Sequence, residues 1–330
     1  MVKRARVGFL GVGWIGRHRM EAMVAGDAVE VVAISDPSDE MAEAAAATAP
    51  GARVVPTLDA LIACGLDGVV IATPSALHAD QSIRALEAGV AVFCQKPLGR
   101  DAAETARVVA AARGADRLLG VDLSYRFVRG MVAIERLVRT GELGRVFAID
   151  LVFHNAYGPD KPWFYDRARS GGGCVIDLGI HLVDLALWIT GQPAIGGVSA
   201  SLFAGGERLT GDAVEDYAVA TLDLADGVVV RLACSWRLHA GQDAVIEASV
   251  YGTEGGATLR NVAGSFHDLV AERHRGTARE PIGGGTDRDW GGRAAVEWAR
   301  RLARGARFDP AAADFVAGAA ALDRIYAANG

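Results

Sequence analysis

From the N-terminus, short unbroken apolar runs alternate with stretches whose apolar residues recur every three to four positions. Residues 6–10, 30–34, 68–72, 90–94 and 118–122 read as strands, and residues 14–25, 38–48, 76–88 and 101–113 as the helices between them. Apart from Arg6, Glu30 and Asp122 at their ends, these strands are continuous apolar runs rather than alternating ones, which fits burial on both faces. Repeated strand–helix units predict an α/β domain, a doubly wound parallel sheet with helices on both sides.

After Tyr125 the rhythm changes. Residues 128–139 read as a helix ending at Gly141, 145–153 as a strand and 158–173 as a loop. Residues 174–190 read as one strongly helical run. Extended segments follow at 197–203, 216–224, 228–236, 244–251 and 257–260, with a hairpin turning at Asp226-Gly227. This predicts an antiparallel or mixed sheet in an α+β domain. The glycine-rich residues 280–292 read as a mobile surface loop. Two helices, 293–304 and 311–328, close the chain, the last expected to return and brace the first domain. The expected division is 1–123 for the dinucleotide-binding domain and 124–330 for the substrate-binding and oligomerisation domain.

Composition narrows the function. The chain has 330 residues, 51% hydrophobic and 22% charged, with a formal net charge of −6. That balance suits a soluble protein with a large core and offers no field that attracts nucleic acid. Aromatics make up 7% and no basic stripe is interleaved with them, so no nucleic-acid partner is expected. No run of about 18 uninterrupted apolar residues occurs, so no membrane span is expected. Cys64, Cys94, Cys174 and Cys234 are widely spaced and form no CxxC pair, which argues against a metal cluster. They read as reduced core thiols, in keeping with the cytoplasm.

The first chemical signal is Gly11-Val12-Gly13-Trp14-Ile15-Gly16, after a strand and opening a helix. Gly11 permits the tight turn, Gly13 lets a pyrophosphate approach the backbone, and Gly16 lets helix and strand touch. The N–H groups of Trp14 and Ile15 then face phosphate, aided by the helix dipole. Asp36 ends the second strand, 36 − 16 = 20 residues after the last glycine, where a carboxylate bonds the adenosine ribose hydroxyls. A 2′-phosphate about 4 Å away would be repelled by about 4 kcal/mol at an effective dielectric near 20 before screening. One surviving kcal/mol still shifts preference about fivefold, so NAD is expected over NADP. Thr73 and Pro74 lie at another strand end, where open α/β sheets bind ligands. His78 follows on the next helix, either reaching cofactor or substrate or serving as a cap or surface residue. Gln95-Lys96-Pro97 ends a further strand, and the proline holds Lys96 extended. A lysine there is placed to donate to a reacting hydroxyl and to the nicotinamide ribose.

The second signal is the block from Ser170 to His181. A helix beginning near Cys174 puts Asp177 and His181 on one face, within reach of one small molecule. A carboxylate and an imidazole on a rigid helix suit removal of a proton from a hydroxyl. Imidazole fits because its unperturbed pKa, about 6.5, lies near working pH. Asp184, three positions on, is placed either to orient that imidazole or at the surface.

These residues resemble the Gfo/Idh/MocA family, which includes glucose–fructose oxidoreductase and inositol dehydrogenase. The resemblance covers nearly the whole chain. It rests on the N-terminal glycines, Ala72-Thr73-Pro74, Lys96-Pro97, Tyr125-Arg126-Phe127 and the block from Gly171 to Asp184. It implies a Rossmann domain followed by a domain with a large open, predominantly antiparallel sheet, assembling as a homodimer or homotetramer. It implies NAD(P)-dependent oxidation or reduction of a secondary alcohol on a sugar or cyclitol. By motif, Lys96 resembles the family's essential lysine, Asp177 and His181 its substrate and acid/base residues, and Arg126 and Trp163 its pocket-bordering positions. The family usually carries Glu before Lys-Pro, where this chain has Gln95. Two other activities share the scaffold: a glycoside-cleaving enzyme that retains NAD and oxidises transiently, and a non-catalytic NAD or sugar sensor. The mixed loop 155–169 leaves neutral sugars, amino sugars, aminocyclitols and phosphate esters open as substrates.

Overall fold

The computed structural model describes residues 4–27 and 29–329. The chain divides into two compact units, one of residues 1–122 and 292–317, the other of residues 123–291 and 318–330.

In the first unit, strands β1 (Ala5–Leu10), β2 (Val29–Ser35), β3 (Arg53–Val54), β4 (Gly68–Ile71), β5 (Ala91–Cys94) and β6 (Leu119–Val121) form one parallel sheet. Their order is β3-β2-β1-β4-β5-β6, the doubly wound arrangement expected. Every residue of β4 and β5 is buried, as unbroken apolar runs require. The crossovers are helices α1 (Trp14–Ala25), α2 (Asp39–Thr48), α3 (Leu58–Ile62), α4 (Ser75–Glu87) and α5 (Ala102–Ala115). Side chains fix several starts: Asp101 accepts from the Glu104 N–H at 2.7 Å, and Glu104 accepts from the Arg100 N–H at 2.8 Å.

The second unit holds β7 (Val146–Asn155), β8 (Ile195–Ala204), β9 (Glu207–Arg208), β10 (Tyr217–Leu224), β11 (Val229–Ser235), β12 (Ala244–Gly252), β13 (Gly256–Asn261), β14 (Leu269–Arg275) and β15 (Ala278–Asp287). They make a nine-stranded sheet in the order β15-β14-β13-β12-β7-β11-β10-β8-β9. It is antiparallel except for β7 beside β11, which run parallel. Helix α6 (Arg129–Arg139) packs on β13, β14 and β15; a single turn, α7 (Arg167–Ser170), precedes α8 (Ile180–Thr190), which packs on β7 and β11. Ile149, Leu151 and Phe153 of β7 alternate into the resulting core. The expected hairpin is present, β10 pairing antiparallel with β11 around Gly227 at φ +87°.

Three expectations are corrected. Residues 280–292 are not a surface loop, because most of them belong to β15. Gly283, Gly284 and Gly285 all have positive φ and fall where the register with β14 shifts, so the glycines form a bulge in an edge strand. The second domain does not run unbroken from 124 to 330. Helix α9 (Arg293–Ala303) groups with the first unit, packing on α1, β1, β5 and β6. A Cβ at Gly68 or Gly120 would come within 2.6 or 2.7 Å of Trp298, so two strand glycines open the groove that this indole fills. The final helix, α10 (Ala313–Ala327), is split: residues through Ala317 group with the first unit and those from Gly318 with the second.

Helical residues 167–190 are apolar enough in length and composition to cross a bilayer, but 83% of their most apolar window is buried within the protein. That is the pattern of a core helix.

Candidate active site

In the first unit the glycine turn is built as its spacing requires. Gly11 has φ +82°, and a Cβ there would lie 2.6 Å from the Ala72 carbonyl oxygen. A Cβ at Gly16 would overlap the Gly11 carbonyl oxygen, so the first turn of α1 rests directly on the strand end. At Gly13 an added Cβ meets nothing within 4 Å. The N–H groups of Trp14, Ile15 and Gly16 open α1, whose first turn carries no acidic side chain. Open backbone and helix N–H groups with no acidic side chain in that first turn fit a pyrophosphate. Asp36 is half-buried; it accepts from the Val12 N–H at 2.7 Å and from the Ser38 N–H at 2.9 Å. The residue expected to meet ribose therefore also ties the glycine turn to the end of β2.

Thr73, Pro74, His78, Gln95 and Lys96 gather at the C-terminal ends of β4 and β5. Thr73 donates its hydroxyl to Gln81 at 2.6 Å. Lys96 is half-buried and joined to Pro97 by a cis peptide. The side chains of His78 and Gln95 are both buried and engaged within the protein. His78 is 1% exposed, with Nδ1 2.6 Å from the Pro97 carbonyl oxygen and Nε2 2.6 Å from that of Thr73. His78 sits between the Thr73 turn and the Lys96-Pro97 turn, and its neutral ring, with a single N–H, donates to one of the two carbonyls at a time. Burial pushes its pKa below the usual histidine value, with Lys96 adding to that direction and the two carbonyls opposing it. Gln95 is buried, and its amide N–H donates to Asp122. Asp122 also takes Arg19 Nε at 2.6 Å, both side chains being almost fully buried. A neutral amide beside one carboxylate and one guanidinium keeps that pocket charge-balanced, the physical counterpart of Gln95 replacing the family's Glu.

In the second unit the Gly-rich turn leads into a helix that starts differently from expectation. Residues Val175–Gly179 are wound as a π-helix and only then continue as α8. Such wide turns are frequent at functional sites. Glu215, missed from the sequence, anchors this start. Its Oε1 accepts from the Gly173 and Val175 N–H groups at 2.8 and 2.9 Å and from the Tyr326 hydroxyl at 2.7 Å. A Cβ at Gly172 would overlap the Tyr326 hydroxyl, and one at Gly173 the Glu215 carbonyl oxygen. The glycines are thus there for close packing. Burial raises the Glu215 carboxyl above the ordinary range, against the pull of its three donors.

Asp177 is half-buried and accepts the Trp236 indole N–H at 3.0 Å. His181 is 7% exposed, its ring 5.0 Å from that of Tyr125 at 59°. Tyr125 is flanked in turn by Trp290 at 4.6 Å and Phe153 at 5.8 Å. Arg126 forms a two-pronged pair with Asp184, Nε to Oδ2 at 2.9 Å and Nη2 to Oδ1 at 2.5 Å. Asp184 thus holds Arg126, one of the predicted pocket residues. Trp163 is half-buried and stacked on Phe164 at 3.8 Å and 21°. The loop carrying it is partly helical, with turns at Pro162–Tyr165 and Arg167–Ser170.

All four cysteines are free thiols. Cys174 and Cys234 face each other with Sγ atoms 3.8 Å apart, and burial raises the Cys174 thiol. Among the described residues no cluster of three or more His, Cys, Asp or Glu is arranged to hold a metal.

Residues 5–123 match the model of an oxidoreductase family with an NAD-binding Rossmann fold, and residues 131–258 that of the GFO/IDH/MocA C-terminal domain. The chain is 28% identical over 269 residues to D-glucoside 3-dehydrogenase of Escherichia coli K12, covering 77% of this chain and 76% of that one. It is 30% identical over 258 residues to inositol 2-dehydrogenase of Rhizobium meliloti 1021, covering 78% and 76%. The crystal structure of GenD2 from gentamicin A biosynthesis in complex with NAD superposes with a TM-score of 0.81 at 28% identity, over 99% of this chain and 95% of that one. The two-domain architecture is that of the NAD-binding sugar and cyclitol oxidoreductases. The chain belongs to the GFO/IDH/MocA family.

Proposed function

We propose that this protein is an NAD-dependent dehydrogenase that oxidises, or reversibly reduces, a secondary hydroxyl of a sugar, amino sugar or cyclitol. The observation that carries the reading is a carboxylate and an imidazole four residues apart on one helix, each braced by an aromatic neighbour, in a chain with an NAD-binding fold. Bound NAD supplies the hydride acceptor. Gly11, Gly13, Trp14, Ile15 and Gly16 hold its pyrophosphate, and Asp36 its adenosine ribose, so NAD is preferred to NADP. Lys96 and Asp177 orient the reacting hydroxyl, and His181 accepts its proton. Burial of His181 against Tyr125 shields that transfer from bulk water. Arg126 and Trp163 border the substrate.

The face of the nine-stranded sheet opposite the helices carries Val219, Val229 and Tyr251 exposed. We take it as the surface through which two or four copies associate, and light scattering at micromolar concentration checks this. The activity is tested by screening inositols, glucosides and amino sugars with NAD and following NADH formation. Turnover with at least one of them is expected, and silence across the panel with tight NAD binding would favour a sensor.

A further inference from the structure

Trp236 directly follows the last residue of β11. Its backbone N–H bonds the Asp216 carbonyl at 2.7 Å, so the sheet holds its position. The residue is 3% exposed, and its indole N–H donates to Asp177 Oδ2 at 3.0 Å. Phe164 meets the indole edge-on at 6.2 Å and 87°, and Tyr165 at 5.7 Å and 65°. Trp163 stacks on Phe164, while the Arg237 guanidinium lies 4.9 Å over Tyr165 and donates to its hydroxyl at 3.1 Å. Arg237 adopts φ +59°, a conformation that non-glycine residues hold only where their surroundings demand it. The aromatic turn Pro162–Tyr165 is therefore linked to Asp177 through one indole.

We propose that Trp236 is a positioning residue for the reaction: its N–H fixes the rotation of the Asp177 carboxylate, and the turn Pro162–Tyr165 sets the indole that does so. This rests on the placement of Asp177 at the reacting hydroxyl made above. The Cβ–Cγ rotation of an aspartate is broad and nearly free in the absence of a partner. A hydrogen bond to an ionised acceptor is stronger than one between neutral groups, so one donor suffices to select an orientation. Indole is a donor only and takes no proton, which separates its task from that of His181. A tryptophan that merely filled space would lose nothing on losing its N–H.

The test replaces Trp236 with 3-benzothienylalanine, which keeps the bicyclic shape and lacks the N–H. One arm needs no turnover: in ¹H–¹⁵N spectra of the whole protein, the Trp236 indole proton should exchange with D₂O at least tenfold faster in Asp177→Ala than in wild type. An unchanged rate overturns the hydrogen bond and with it the proposal. The second arm uses myo-inositol, methyl α-glucoside and levoglucosan with saturating NAD. For any that turns over, the isostere should lower kcat about tenfold with KM within twofold, and should cost nothing further in an Asp177→Ala background, which has no acceptor for the indole. Equal losses in both backgrounds, or none in the wild-type background, overturn the proposal. Full turnover by Asp177→Ala alone would instead overturn the assignment of Asp177 to the hydroxyl, leaving the exchange rate to judge the bond.

Discussion

Tyr326 donates its hydroxyl proton to Glu215 Oε1 at 2.7 Å, and the same oxygen receives the N–H groups that open the helix of Asp177 and His181. A residue four from the C-terminus thus helps set the start of the helix that carries the candidate chemistry. Tyr326→Phe should destabilise the protein by about 1–3 kcal/mol, the cost of leaving a buried acceptor short of a donor. Gly172→Ala should cost a similar amount, about 1–3 kcal/mol, because its methyl enters the space of the Tyr326 hydroxyl. Urea unfolding checks both, and the double variant should be less destabilised than the sum, since each change relieves the other.

The same carboxyl gives a pH signature. Burial raises the Glu215 pKa above its ordinary value of 4.5, so the folded chain keeps this proton to higher pH than the unfolded chain. Stability from the neutral form is fully present below the unfolded value and is lost as pH rises through the raised one. Glu215→Gln has no such proton to lose. The stability of wild type relative to Glu215→Gln should therefore fall as pH is raised from about 4.5. Paired urea titrations from pH 4 to 8 measure this, and a difference that rises with pH would contradict it.

Asp36 holds the glycine turn by accepting from the Val12 N–H, and it is the residue proposed above to meet the adenosine ribose. Asp36→Asn keeps an oxygen able to accept from Val12 while removing the charge that opposes a 2′-phosphate. The ratio of kcat/KM for NADP to that for NAD should rise about fivefold or more, the equivalent of about 1 kcal/mol. A wild-type enzyme that already prefers NADP would contradict the assignment of Asp36.

Much of this architecture was legible in the sequence because its signals are local. Strands such as Val90 to Cys94 are apolar at every position, and the spacing of Gly11, Gly13 and Gly16 encodes a turn that only glycine fits at Gly11 and Gly16. The candidate pair Asp177 and His181 was legible for the same reason, lying on one helix. What escaped depends on contacts between distant segments. Trp236 and Glu215 carry no motif; they matter because β11 and the stretch before β10 pass beside the π-helix. A signal existed for Glu215 in Gly173, and for its donor Tyr326 in Gly172, glycines that mark a close approach without saying what approaches; neither lies against Trp236. The docking of α9 was hidden likewise, in Gly68 and Gly120 leaving room for Trp298. His78 was legible as a residue near the site but not as one buried between two turns, because its neighbours are backbone carbonyls, which every residue has.

In the proposed reaction a carbinol hydrogen leaves as hydride while His181 takes the hydroxyl proton. The most direct measurement incubates the protein with NAD and a panel of polyols deuterated at each carbinol carbon, then locates the label by mass spectrometry, in wild type and in His181→Ala. Deuterium should appear in the NADH from one position of a substrate, and His181→Ala should form it about 10²–10⁴-fold more slowly. NADH free of label, or a His181→Ala rate within about threefold of wild type, would contradict it.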